Sequence, residues 1–400
     1  MEHINPDVNC VGCSACYAVC PVDAIKMDAN ANGFYIPKIN EDKCIFCGKC
    51  VRVCPLTNCG ENANWENAKC SYAFEKDENE RRLSCSGGVF YALAKLVLKK
   101  QGYVCGCVWD ENYKAKHICA NSLEGVQRMR GSKYVQSDMG DCFSEIKGLL
   151  KEGKTVLFSG TGCQTTALKN YVGSNHNGNL ITCALICGGV PSPLVWKLYR
   201  EAVEKKAGAK IVKLGMRSKV RSWLMPEFVA KFDNGKTINE VLLQENLYGT
   251  NFVDGLFINS ECMSCRFKLD TVQADILLGD DWGIDRARLK RSKNLGSSAV
   301  ISLTETGNKW MKALQEDLHV EQGNLDDIIK SHHVLTHDHT ENAYRSEFFS
   351  NLKNVNIIEL LDTNFNRWKA KVSMSRLVEM LYRFKLYTPV YTILWKLRHK

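Results

Sequence analysis

Apolar residues along the chain fall into short periodic runs separated by serine- and glycine-rich turns. The stretch "SCSGGVFYALAKLVLKKQGYVCGCVW" reads as a Ser/Gly turn, an amphipathic helix over 89–99 and a strand from Tyr103. "KTVLFSGTGCQTTALKNYV" repeats that order of strand, glycine-rich turn and helix. Alternation of this kind predicts an α/β body. Nearer the N-terminus, "GFYIPKINEDKC" predicts a small strand pair that closes a module over 1–60. Residues 61–82 are polar and rich in Asn and Glu, with one short apolar stretch at Tyr72–Phe74, and predict a linker with an entering strand. At the far end, Met374, Leu377, Val378, Leu381 and Phe384 recur at helical spacing, with Arg376, Glu379 and Arg383 facing away and Lys385 as an exception. Pro389 then interrupts before "VYTILWKLRHK". This basic amphipathic tail, 351–400, fits packing on the body, docking of a partner, or contact with an anionic membrane surface; the first two are preferred, because helical apolar stripes are usually buried against protein.

Composition narrows the class. The chain has 400 residues, 45% of them apolar and 24% charged, enough for two or three folded domains. Of the formal net charge of +9, the nine cations and single Glu379 between Arg367 and Lys400 supply +8. The rest is near neutral, so no folded basic face argues for nucleic acid. The opening "MEHINPDVNC" is unlike a signal peptide, and no apolar run approaches the roughly 18 residues of a membrane span. A cytoplasmic location is therefore expected. There, 20 cysteines argue against a disulfide framework and for metal ligation or redox chemistry.

Twice the sequence reads C-x2-C-x2-C-x3-C-P: Cys10, Cys13, Cys16, Cys20 and Pro21, then Cys44, Cys47, Cys50, Cys54 and Pro55. This is the spacing of bacterial two-cluster ferredoxins, in which the last cysteine of each run ligates the other cluster. One [4Fe–4S] is thus assigned to Cys10, Cys13, Cys16 and Cys54, and a second to Cys44, Cys47, Cys50 and Cys20. Zinc also takes sulfur ligands, but a zinc site needs four of them and not two sets of four with CP endings. Cys59 has no partner by spacing. The predicted fold class is α+β, a two-cluster bacterial ferredoxin-like module followed by an α/β body.

The two Ser/Gly turns expose backbone N–H groups at helix N-termini, which suits a phosphate; neither is a G-x-G-x-x-G or a P-loop, and such turns are often only caps. In order along the chain, "SCSGGVFYALA", "RGSKYVQSDMGDCFSEIK", "VLFSGTGCQTTALKNYV", "LICGGVPSPLVW", "CMSCRFK" and "ADILLGDDWGI" resemble the coenzyme F420 hydrogenase/dehydrogenase beta subunit family, from Ser84 to Gly283. The resemblance divides the body into 83–165 and 166–350 and implies an iron–sulfur FAD enzyme. Such an enzyme would exchange electrons between a ferredoxin or partner subunit and an organic acceptor, coenzyme F420 among the candidates. Carried over, it places Ser84, Ser86, Gly87 and Gly88, then Gly131, Ser132, Lys133, Tyr134 and Gln136, then Ser159, Gly160 and Thr161 along FAD, with Lys133 and Arg130 as cations for its pyrophosphate. For an isolated lysine, a solvated surface charge is the competing reading.

Four cysteines inside those motifs, Cys163, Cys187, Cys262 and Cys265, make a ligand set for a third [4Fe–4S] cluster beside the flavin; a zinc site or free thiols are the alternatives. Cys85, Cys105, Cys107, Cys119, Cys142 and Cys183 read as small apolar residues. The chain departs from the family where Gly162 replaces a usual proline, Gly188 a usual histidine and Asp281 a common aromatic. The lost histidine weakens transfer of any particular substrate. Asp280 and Asp281 end an apolar strand, either as functional groups or as a solvated turn. His332, His333, His337 and His339 fit a polar loop better than a metal site.

Overall fold

A computed structural model describes residues 4, 10–59, 65–174, 176 and 178–372. Of the tail expected to be amphipathic, 373–400 lies outside the described residues. Strands β1 (Ile25–Ala29) and β2 (Tyr35–Ile39) pair antiparallel in the N-terminal module. The remaining strands are β3 (Lys69–Glu75), β4 (Tyr103–Trp109), β5 (Ala115–Ala120), β6 (Val156–Thr161), β7 (Leu180–Leu185), β8 (Ile211–Ser218), β9 (Glu227–Phe232), β10 (Thr237–Val241), β11 (Ile276–Asp280), β12 (Ser298–Ser302) and β13 (Leu318–Gln322). Eight of them form one sheet in the order β13-β3-β12-β11-β7-β6-β4-β5, parallel at its centre and antiparallel at both flanks. The fold is a mixed α/β body behind a ferredoxin-like module.

Burial explains why the centre is parallel. β6 and β7 are apolar on both faces, as strands covered by helices on each side must be. Leu157 of β6 packs with helix Val89–Lys99, whereas its neighbours Val156 and Phe158 pack with helices Cys142–Lys151 and Gly162–Val172. Helix Val89–Lys99 begins and ends where the hydrophobic period predicts. β3, from the stretch expected to link the domains, lies between β13 and β12 inside the sheet. β8, β9 and β10 form a separate antiparallel sheet that encloses a second core with helix Pro193–Ala207.

One sequence expectation is corrected. Cys105 and Cys119 read in the sequence as unpaired apolar residues, but the β4–β5 register sets them directly opposite each other and a disulfide joins them. The Cys142 thiol lies 3.9 Å from that of Cys119.

The N-terminal module is stitched to the body by side chains. Gln136 accepts a hydrogen bond from the Tyr35 N–H (2.7 Å) and donates to the Val11 carbonyl (3.3 Å). Tyr17 donates to Asp141 at 2.8 Å, Asn259 to the Cys10 carbonyl at 3.0 Å, and Arg266 to the Leu56 carbonyl at 3.0 Å. Gly12 is required at this seam: its φ is +67°, and a Cβ there would sit 2.2 Å from the Gln136 amide nitrogen. Gly12→Ala is expected to lower stability by at least about 1–2 kcal/mol from the left-handed backbone alone. An unchanged unfolding midpoint would show that the seam contributes nothing.

Candidate functional site

The cysteine duplication is visible in the backbone. Two residues after the first cysteine of each run, Gly12 and Phe46 have positive φ; four residues after it, Ser14 and Gly48 do. Each run then enters a five-residue helix, Ala15–Val19 or Lys49–Val53. The paired left-handed residues of each formula curl the chain around a common centre, and one of each pair is a non-glycine residue that tolerates the conformation poorly.

Around the first centre, burial pushes the Cys10 thiol up to about 11, and Cys54 opposes its ionisation further. Cys13 and Cys16 are raised for the same reasons, desolvation first and then the charges of their neighbours including Cys54. The fourth cysteine of the second run therefore lies with the first three of the first run. Cys20, Cys44, Cys47 and Cys50 line one small cavity of their own. Buried as they are, Cys10, Cys13 and Cys16 are poor thiolates without a positively charged group to meet them, which is what iron supplies.

In the body, Cys163 follows β6 in the first turn of helix Gly162–Val172, and Cys187 follows β7. Cys262 ends the short turn Ser260–Cys262, and Cys265 follows it. All four line a single cavity together with Val11, the residue after Cys10. Burial pushes Cys163 up to about 12, with Cys187 and Cys265 adding to the rise. Cys262 is raised by burial and then by Cys187 and Cys163. Donors already face the sulfurs: the Thr161 hydroxyl is 3.0 Å from Cys163, the Gly189 N–H 3.4 Å from Cys187, and the Phe267 N–H 3.4 Å from Cys265.

Next to this cavity, at the C-terminal ends of the parallel strands, a cleft of about 320 Å³ opens, where α/β sheets usually bind ligands. Val11, Cys163 and Cys187 line it too, so it touches both cysteine groups. Twelve of the thirteen residues expected along a flavin border it: Ser84, Ser86, Gly88, Arg130, Gly131, Ser132, Lys133, Tyr134, Gln136, Ser159, Gly160 and Thr161. Gly87 instead sits behind the turn, its N–H donating to Ser298, where a Cβ would lie 2.3 Å from the Ala73 carbonyl.

Residues 9–58 match the 4Fe-4S dicluster domain family, and residues 153–328 match the family defined by the C terminus of the coenzyme F420 hydrogenase/dehydrogenase beta subunit. The chain is similar to that beta-subunit family over 153–328, behind a [4Fe–4S] dicluster module at 9–58. No curated protein sequence matches it. Among solved structures, a chain of the F420-reducing [NiFe] hydrogenase complex from Methanosarcina barkeri is similar at 19% identity and a TM-score of 0.46, over 66% of this chain and 87% of that one. The chain is thus an iron–sulfur protein of a redox family, and no described helix is long and apolar enough to cross a membrane.

Several expected cofactor residues carry structural duties. The Lys133 ammonium donates to the carbonyls of Arg128, Met129, Arg130 and Gly131 at 2.9–3.1 Å, closing the end of helix Leu123–Met129. Arg130 pairs with Glu80, donates to Ser84 at 3.0 Å and lies over the Tyr91 ring. Gln136 holds the module seam. Cations expected for a pyrophosphate are thus largely occupied, and the anion-binding capacity falls on the Ser84–Gly88 turn. Gly88, with φ +92°, starts helix Val89–Lys99 without a side-chain cap, leaving its first N–H groups open. Lys219 fixes the turn from behind by donating to the Arg81, Ser86 and Leu295 carbonyls. By contrast, the N-terminus of helix Gly162–Val172 is closed internally, since the Gln164 side chain accepts from the Thr161 N–H.

Other cleft residues carry no motif. His117, on β5, is 7% exposed; its Nε2 is 3.3 Å from the Ser159 carbonyl, and its Nδ1 has no partner among the described residues. Burial pulls it down to about 4, so it is neutral at pH 7. Arg217 pairs with Asp280 at 2.8 Å, and both border the cleft. Asp281 is not the solvated turn residue the sequence allowed: it is buried against Arg288 at 3.0 Å. His332 lies 2.6 Å from the Asp280 carbonyl, while His337 and His339 border the four-cysteine cavity, so the histidines do not form one ligand group among the described residues.

Proposed function

We propose that this chain is an iron–sulfur flavoprotein oxidoreductase that passes electrons between a ferredoxin or partner subunit and an organic acceptor. The observation that carries this reading is the shared lining of Val11, Cys163 and Cys187, which puts both cysteine groups on one cleft with the Ser84–Gly88 turn. The residues fit the groups proposed: four convergent thiols with N–H and O–H donors suit a third [4Fe–4S] cluster, and the uncapped helix start at Gly88 suits the phosphates of FAD. Bound FAD would supply the exchange between single electrons and a hydride. Ser84, Ser86 and Gly88 would hold its phosphates, Ser132 and Ser159–Thr161 would border it, and His117 would offer its free Nδ1 as a neutral polar contact. Because the matched family is described by coenzyme F420, a second reading makes F420 the organic partner and the chain a beta subunit of a larger complex.

The test is anaerobic purification with iron, sulfide and released flavin measured on one sample. About twelve irons with one FAD are expected. About eight irons without flavin would leave an electron-transfer adaptor and end the oxidoreductase reading.

A further inference from the structure

A second cavity, of about 500 Å³, lies on the other side of the module seam, between the β1–β2 hairpin and helix Pro193–Ala207. It shares only Val135 and Gln136 with the first cleft. Its size falls within the range of small-molecule clefts, about 300–1,000 Å³. Nothing in the iron–sulfur or flavin reading uses it.

Its charges are unequal. Lys114 is neutralised by Asp138 at 2.9 Å. Arg200 and Lys197, three apart and so on one helix face, both border the cavity. Among the described residues neither donates a hydrogen bond; Arg200 has only Glu201, at 3.6 Å, although its side chain is just 13% exposed. Glu201, also on the cavity wall, is a loose partner for one guanidinium nitrogen and leaves most of the five Arg200 donors without a protein acceptor among the described residues, so the two cations outnumber the one carboxylate there. Tyr35 and Tyr113 supply flat walls: the Tyr35 ring already lies 5.2 Å from the Lys114 ammonium, and the Tyr113 carbonyl is held by the Trp196 indole at 2.7 Å.

We infer that this cavity binds a small organic anion, a planar aromatic ring bearing a phosphate or carboxylate, with Arg200 and Lys197 on the anionic group and Tyr35 and Tyr113 on the ring. Such a ligand touches Gln136 and Tyr35, the pair that secures the Cys10 loop. Occupancy therefore tightens the seam between the module and the body.

The test titrates the full-length, cluster-loaded protein with phenyl phosphate and with benzoate, using calorimetry, beside inorganic phosphate and phenol. Saturable binding of one or both aromatic anions is expected, the tighter of the two naming the anionic group. It should weaken by at least about tenfold in Arg200→Ala/Lys197→Ala, the loss of a charge-assisted contact. That double variant should keep the iron and flavin content of the parent, because neither residue borders the first cleft. Unchanged affinity in the double variant, absence of saturable binding in the parent, or inorganic phosphate binding as tightly as phenyl phosphate would overturn the inference. None of these outcomes depends on whether the first cleft holds FAD.

Discussion

Replacing Cys262 with serine is expected to lower the iron content of the anaerobically purified protein from about twelve atoms to about eight. Cys262 is the ligand whose loss the site tolerates least. Its thiol is raised by burial and by Cys187 and Cys163, so it sits among its partners rather than at the rim. A serine hydroxyl there would face a set of three sulfurs with no fourth soft donor. The first two groups stand apart, since Cys54 completes Cys10, Cys13 and Cys16 and the Cys20 group has its own cavity, so their signals should persist in electron paramagnetic resonance of the reduced protein. Cys85→Ser is the control, a cysteine that borders the neighbouring cleft but belongs to no ligand set. Full iron content in Cys262→Ser would mean that Cys262 is not a required cluster ligand.

Acid should destabilise the protein through His117. In the unfolded chain this imidazole gains its proton near pH 6.5; in the folded chain burial delays that to about 4. Between those values the unfolded state binds more protons, so stability falls as pH falls through the window. The loss is about 2 kcal/mol by pH 5 and reaches about 3 kcal/mol below pH 4. Buried carboxyls such as Asp281 titrate with opposite sign in the acid range, so the quantity to measure is a difference. Urea midpoints at pH 7.5 and pH 5, compared between the parent and His117→Phe, should show the smaller acid loss in the variant. Equal losses would mean that His117 gains its proton as readily in the fold as in the unfolded chain, and that burial does not hold it neutral in the cleft.

Local chemistry was legible in advance where it lies in local spacing. The two cysteine formulas, helix Val89–Lys99, and the strand, turn and helix around Cys163 follow from neighbours a few residues apart. What was hidden depends on pairing across the chain. β3 lies beside β12 and β13, more than two hundred residues downstream, and no local pattern announces that. The Cys105–Cys119 bond needs the β4–β5 register. Lys133 reads as a phosphate cation until the carbonyls of its own preceding turn are seen to surround it. His117 looks like an ordinary strand residue, because its importance comes from the Ser159 carbonyl and the cleft behind it.

The two cysteine formulas match in spacing and differ in setting. Gly12, in the first, is pressed against Gln136 and cannot carry a side chain. Its counterpart Phe46, with Ile45 beside it, is held in the same left-handed turn yet stands in solvent, 47% and 60% exposed. A duplication that began as two equal halves has become an object with direction. One end is set against the body and the other turns Ile45 and Phe46 outward, so the two halves present unequal faces to the surroundings.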